Sequence, residues 1–306
     1  MIIFLQATFE GLSLGAVYSL VAIGFVLIFR ATDVLSFAQP AMVVVGAGFI
    51  SYFATQIGIP FWIAFILGII LTGILGFIIE RTFLRPMVGE PVFSVAVLTI
   101  GIDILLRVVL DNWIGINPKY MGDPFPSFGN FGSLSIGGIT IKYLEVTALI
   151  ISLILIFVLS VFFKRSKYGV AMRATSLDQE AALAQGINVG RVFGLVWFIA
   201  GLLAAFAGFF ITGGFNTLTN SSFISALRAL PAVVIGGLDS ITGAVIGSLI
   251  IGLTQAYVGY YQFDIESAYS IRLGNGFSIV APYLIMFVIL LIKPHGLFGT
   301  EEVERV

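Results

Sequence analysis

Apolar residues along this chain fall into runs of about twenty, the length that spans a hydrocarbon core of roughly 30 Å, with short polar breaks between them. The first run is Gly11 to Phe29, closed by Arg30 and Asp33. Leu35-Ser36-Phe37-Ala38-Gln39-Pro40 follows, and then a second apolar stretch, Ala41 to Gln56. Pro40 lacks an amide hydrogen and biases Gln39 away from helix, so a helix break is expected here. Further spans are expected over Phe61 to Ile79, Pro91 to Leu110, Leu144 to Phe163, Val192 to Thr212 and Phe277 to Ile292, the last stopped by Lys293-Pro294. Residues 111–142 are polar and rich in glycine and proline, which predicts an aqueous loop with several turns. Asp264 to Gly276 reads as another polar loop.

Residues 226–260 do not fit a simple span. Leu230-Pro231 to Gly236-Gly237 is apolar but too short to cross, Leu238-Asp239-Ser240-Ile241-Thr242 interrupts it, and Gly243 to Tyr260 is long and apolar again. This pattern predicts a half-helix, a break and a returning helix. Such breaks are tolerated at membrane depth only inside protein or beside a water-filled cavity. The first run also carries Gly11-x-x-x-Gly15, a spacing that allows close helix packing, although glycine pairs are common in a chain with 35 glycines.

Composition fixes the class. Apolar residues make up 59% of the chain and charged residues 10%, far below the quarter or so that is usual in soluble domains. The expectation is an all-α polytopic membrane protein, one domain over 1–306, with about eight transmembrane segments, broken or re-entrant helices, and lipid as its surroundings. A net charge of −1 gives no reason to expect a nucleic-acid partner. Without cysteine there is no thiolate chemistry, and with the one histidine, His295, in the tail, no metal site or histidine triad is expected. The start has no basic region or clear cleavage site, so no removable signal peptide is read. If 164–191 is cytoplasmic, alternation puts Arg30, Arg81, Arg85 and the C-terminal tail inside as well. Lys119, Lys142, Arg228 and Arg272 then fall outside, which satisfies the positive-inside bias.

The stretch 164–191 is the longest charged segment between two apolar runs. Ser176 with Gln179 three residues on predicts a capping box. Asp178 and Glu180 favour the first turn of a helix, and Gly186 is a natural stop. A helix that short, about 14 Å, needs a partner surface. Its small residues Ala181, Ala182 and Ala184 would allow one to approach. A docking helix for a soluble partner and a solvated loop with an incidental helical turn are the two readings. Within the fourth span, Asp103 and Arg107 stand i and i+4 on one face and can pair. They form either a structural ion pair or, with Asp103 as carrier, the core of a proton-coupled transporter. No P-loop, nucleophile elbow or zinc-protease motif occurs, so neither ATP binding nor catalysis is expected of this chain.

Glu180-Ala181-Ala182, three residues, then Gly186 resembles the coupling loop of ABC importer permeases. Tyr168-Gly169-x-Ala171-x-Arg173-Ala174 and Gly186-Ile187-Asn188 resemble the permeases of branched-chain amino acid ABC importers more closely. Leu12-Ser13-Leu14-Gly15-Ala16-x-Tyr18-x-Leu20 with Phe37-Ala38 is similar too. So are Ala232-Val233-Val234-Ile235-Gly236-Gly237, Gly243-Ala244-Val245-Ile246-Gly247 and the tail Lys293-Pro294-x-Gly296-Leu297-Phe298-Gly299. The family often has His-Gly after Phe-Ala, where this chain has Gln39-Pro40, and the broader coupling pattern Ile-x-Leu-Pro is missing after Gly186. The resemblance implies a second, related permease subunit, and two cytoplasmic ATP-binding subunits that hold ATP and Mg. It also implies an extracytoplasmic binding protein and the inner membrane of a prokaryote. Its solutes are mainly leucine, isoleucine and valine, with urea and short amides in relatives. Ser176, Asp178, Glu180, Ala181, Ala182 and Gly186 would then form the coupling helix. Ser36, Phe37, Gln39, Asp239 and Ser240, at the broken segments, would line the pathway, where unwound backbone can hold a solute. Gln39, Asp239 and Ser240 are expected to face a cavity at the interface with the second permease. A packing turn is the other reading of each break, and a passive channel is a third functional class.

Overall fold

The computed structural model describes every residue except 88, 116–118, 123, 125–131, 137–138, 178, 214–216, 220–221, 271, 275 and 300–306. Helices α1 (Ile2–Thr32), α2 (Gln39–Ser51), α3 (Phe61–Ile79), α4 (Val92–Ile114) and α5 (Tyr143–Arg165) come first. Then come α6 (Lys167–Leu177), α7 (Gln179–Ala184), α8 (Val189–Gly213), α9 (Ser222–Leu227), α10 (Leu230–Gly236), α11 (Ile241–Tyr269) and α12 (Phe277–Ile292). Among the described residues, six helices are long and apolar enough to cross a membrane, and shorter apolar helices stand beside them, so the exact count of eight segments is not confirmed. The short segments have physical causes. Segment α2 is only 13 residues, continued by a π turn over Tyr52–Gln56, and α9–α10 and α12 are short apolar helices.

The spans α3 and α12 coincide with their expected bounds. Pro40 stands in the first turn of α2, so the break precedes it over 33–38 and Pro40 starts the next helix. Helix α11 overruns the expected polar loop and continues to Tyr269. Gln262 Nε2 donates to Glu266 Oε1 at 2.8 Å one turn on, and Glu266 also accepts from Leu273 N at 3.0 Å, so the polar residues here tie the helix end together. Residues 111–142 hold short strands that the turn-rich composition did not predict. Strand β1 (Lys119–Tyr120) pairs antiparallel with β4 (Thr217–Leu218), and β2 (Ser133–Ile136) pairs with β3 (Ile139–Lys142).

Helices α1, α2 and α8 are the buried centre; α11 and α5 pack on α1, α3 packs on α8, and α4 packs on α2. The Gly11-x-x-x-Gly15 spacing does bring helices together. A Cβ at Gly11 would meet Leu253, and one at Gly15 would meet Leu249, each at 2.9 Å. This order also shows that α1 and α11 run antiparallel. Apolar side chains that face away from the bundle, such as Ile104, Val108, Phe157 and Leu291, suit a lipid surrounding.

Candidate functional site

The end of the bundle where α1 stops and α6–α7 lie holds two adjoining cavities of about 820 and 290 Å³. Both are lined by Arg30, Arg173 and Ser176. Asp239 and Leu177 line the larger, and Ser240 and Gly169 the smaller. The break after α10 and the charged loop, which are distant in sequence, therefore meet at one vestibule.

The break is well organised. Gly237 has φ +102°, a conformation other residues rarely adopt, and it turns the chain out of α10. The tail folds back to satisfy the free carbonyls of α10. Leu297 N donates to Ile235 O at 2.7 Å, and Phe298 N donates to Gly236 O at 3.1 Å. Ser240 caps α11, its Oγ accepting from Gly243 N at 3.0 Å. Arg30 Nε donates to the Asp239 carbonyl at 2.5 Å, which pins the break to the end of α1. The half-helix, break and returning helix are thus present as α10, 237–240 and α11.

In the charged stretch, Ser166 caps α6 by accepting from Gly169 N at 3.0 Å, and Arg173 donates to the Phe163 carbonyl. Ser176 is not the N-cap expected of it. It lies in the last turn of α6 and its hydroxyl donates back to Arg173 O at 3.0 Å, so it is spent on the preceding helix. Asp178 falls outside the described residues. Gly186 is the expected stop, with φ +79°. Ile187 N donates to Ala182 O at 3.0 Å and Gly186 N to Leu183 O at 2.9 Å, the two bonds of a Schellman motif. Ala182 is buried against its own chain, whereas Glu180 and Ala181 are exposed. The small-residue face is therefore partly used internally. The large side chains facing outward are Leu177, 87% exposed, and Leu183, 57% exposed.

The other break differs. Gln39 is wholly buried instead of facing a cavity. Its Nε2 donates to Ala200 O at 3.2 Å and occupies the space beside Gly24, while Oε1 has no partner among the described residues. Ser36 is buried, with Oγ likewise unpartnered, and Phe37 is half-buried, with its N–H donating to Thr99 Oγ1 at 3.1 Å. The structure thus separates the five candidate pathway residues: Asp239 and Ser240 line open space, and Ser36 and Gln39 are sealed into the core. Asp103 and Arg107 form the ion pair that the i, i+4 spacing predicts, with the guanidinium 4.0 Å from the centre of the Phe223 ring. Sequence reading missed Arg30 and Arg173 as site residues. Arg30 closes an apolar run and Arg173 lies within the charged stretch 164–191, and at both places a basic residue is ordinarily read as a marker of sidedness.

A family model described as "Branched-chain amino acid transport system / permease component" matches residues 7–292. The chain is 28% identical over 313 residues to the high-affinity branched-chain amino acid transport system permease protein BraD of Pseudomonas aeruginosa, covering 99% of this chain and 98% of the relative. It is 30% identical over 318 residues to LivH of Salmonella typhimurium, a permease protein of the same description, with the same coverage. Among solved structures it is similar to PsaBC from Streptococcus pneumoniae in complex with Fab, at 14% identity, a TM-score of 0.49 and coverage of 95% and 92%, a likeness too distant to carry an argument.

Proposed function

Because the chain belongs to the branched-chain amino acid transport permease family, we propose that it is the membrane-spanning subunit of an ATP-driven importer. Its cargo on this reading is branched-chain and other small hydrophobic amino acids, delivered by an extracytoplasmic binding protein. It would pair with a second, related permease, and two cytoplasmic subunits would hydrolyse ATP. The loop 164–191 and the C-terminus are cytoplasmic in this arrangement.

The observation that carries the reading is the placing of α6–α7. This segment presents Leu183 of α7 outward, while Arg173, Ser176 and Leu177 of α6 line the vestibule that contains the α10–α11 break. It joins α5 to α8, and α6 also packs on α1. A push from a partner that closes on ATP therefore reaches three helices of the bundle and the edge of the vestibule. Asp239 and Ser240 are the pathway residues at this end. Asp103 already has a cationic partner in Arg107, which favours a structural pair over a proton carrier.

Leu183→Asp tests this reading. It should reduce co-purification of the ATP-binding subunits and substrate uptake at least tenfold, with the permease pair still monodisperse. Normal subunit stoichiometry and normal uptake would count against docking on this helix.

A further inference from the structure

A third cavity, of about 280 Å³, lies towards the opposite end of the antiparallel α1–α11 pair and is enclosed by α1, α5, α8, α11 and the turn after α9. Its floor is fixed. Tyr18 is buried, and its hydroxyl donates to Gln255 Oε1 at 3.0 Å. Leu14, Val17, Phe210 and Ile211 give it apolar walls.

The charges around it are unevenly satisfied. Glu145 is paired with Lys142 at 3.3 Å. Glu10 accepts a hydrogen bond from Tyr260 Oη at 2.8 Å but has no cation within ion-pair distance among the described residues. Arg228 lies beside Tyr18 and has no carboxylate partner among them either, and its Nε is buried without a hydrogen-bond acceptor. One small cavity is therefore lined by an uncompensated anion and an uncompensated cation, with apolar surface between. Half-buried charges left in this condition are costly.

We propose that this cavity receives a zwitterionic aliphatic amino acid, its carboxylate at Arg228, its ammonium towards Glu10 and its side chain on the apolar walls. One ligand would compensate both charges at once. A neutral amide, urea or a sugar would leave both unpaired, so the site selects the amino-acid class from the wider set of small solutes. The volume is at the small end for ligand pockets and excludes a peptide. The proposal deepens the importer reading and rests on it for the direction of transport. Arg228 leads into α10, whose far end meets Asp239, so the same re-entrant segment touches this cavity and the vestibule. From Tyr18 to Arg30 along α1 the two are about 18 Å apart.

The test is thermal stabilisation of the purified complex by millimolar L-leucine, 4-methylpentanoate, 3-methylbutylamine and 4-methylpentanamide, since a ligand that binds only the folded state raises its stability. Leucine should raise the melting temperature well above any shift from the three analogues. Arg228→Gln should abolish the leucine shift, Arg228→Lys should retain part of it, and Glu10→Gln should weaken it at least tenfold in leucine concentration. Equal shifts from a singly charged or neutral analogue would overturn the proposal. An unchanged leucine shift in both Arg228→Gln and Glu10→Gln, or no leucine shift in the unaltered complex, would also overturn it. Uptake measured alongside separates the two claims: a zwitterion-specific shift without leucine import supports the site and counts against the importer reading.

Discussion

Arg85 grips Glu80 through two hydrogen bonds, Nε to Oε1 at 3.0 Å and Nη2 to Oε2 at 2.7 Å. The same Nη2 donates to the carbonyl of Gly190 at 2.7 Å, at the start of α8. Glu80 is 1% exposed. The pair therefore fastens the π turn that ends α3 to the first turn of α8, the helix that follows α7 in the chain.

Breaking this pair should destabilise the protein. Removing one partner of a buried pair costs about 3–5 kcal/mol, and less is expected here because the Arg85 side chain is 37% exposed. Glu80→Gln should lower the thermal midpoint of the purified complex. Arg85→Lys, which keeps the charge but loses the two-pronged geometry, should fall between it and the unaltered protein. Equal midpoints for all three would show that the pair does not hold α3 to α8.

Asp103 and Arg107 should behave as a structural unit. Asp103→Asn leaves Arg107 without its carboxylate in a span and should cut the yield of folded protein several-fold. The double change Asp103→Asn with Arg107→Gln should partly restore it. A stable single variant whose uptake loses only its pH dependence would favour proton coupling.

Gly186 should tolerate side chains only at a conformational cost. A Cβ there meets no atom within 4 Å, so the cost comes from φ +79° alone, on the order of 1–2 kcal/mol. Gly186→Val should loosen the end of α7 and reduce ATP-driven uptake more than it reduces the thermal midpoint. Ala182→Arg is predicted to be harsher, because Ala182 is packed into its own chain. Hydrogen exchange over 179–190 would show the loosening, and unchanged exchange in Gly186→Val would contradict it.

Gly24 leaves room for Gln39, whose Nε2 would lie 2.2 Å from an added Cβ. Gly24→Ala should destabilise the bundle, and adding Gln39→Ala should recover part of the loss. Residues in such contact couple by about 0.5–3 kcal/mol. Strictly additive thermal shifts would mean that the two do not meet.

The spans were legible where punctuation is strong. Pro60 precedes α3, and Lys293-Pro294 follows α12, and both helices have their expected bounds. The re-entrant break was legible for the same reason, because Gly236-Gly237 and Asp239-Ser240 interrupt an apolar pattern. What failed to show depends on the choice among partners at a distance. Ser176 bonds back to Arg173 instead of forward, and Gln39 turns into the core because Gly24 and Ala200 O are there to receive it. The pairing of β1 with β4 joins segments about a hundred residues apart, which no local pattern encodes. Of the vestibule, Asp239 and Ser240 were expected at a break and Ser176 in the coupling helix, but their meeting with Arg30 and Arg173 was not foreseen.

The central claim is that this chain imports an amino acid only when ATP is hydrolysed by partners docked on α6–α7. It is tested most directly by uptake of labelled L-leucine into vesicles that contain the permease pair, with the binding protein on one side and ATP on the other. The account predicts that uptake requires the ATP-binding subunits, persists when a proton gradient is collapsed, and is lost in Leu183→Asp. Uptake that proceeds without those subunits and follows the proton gradient would contradict it.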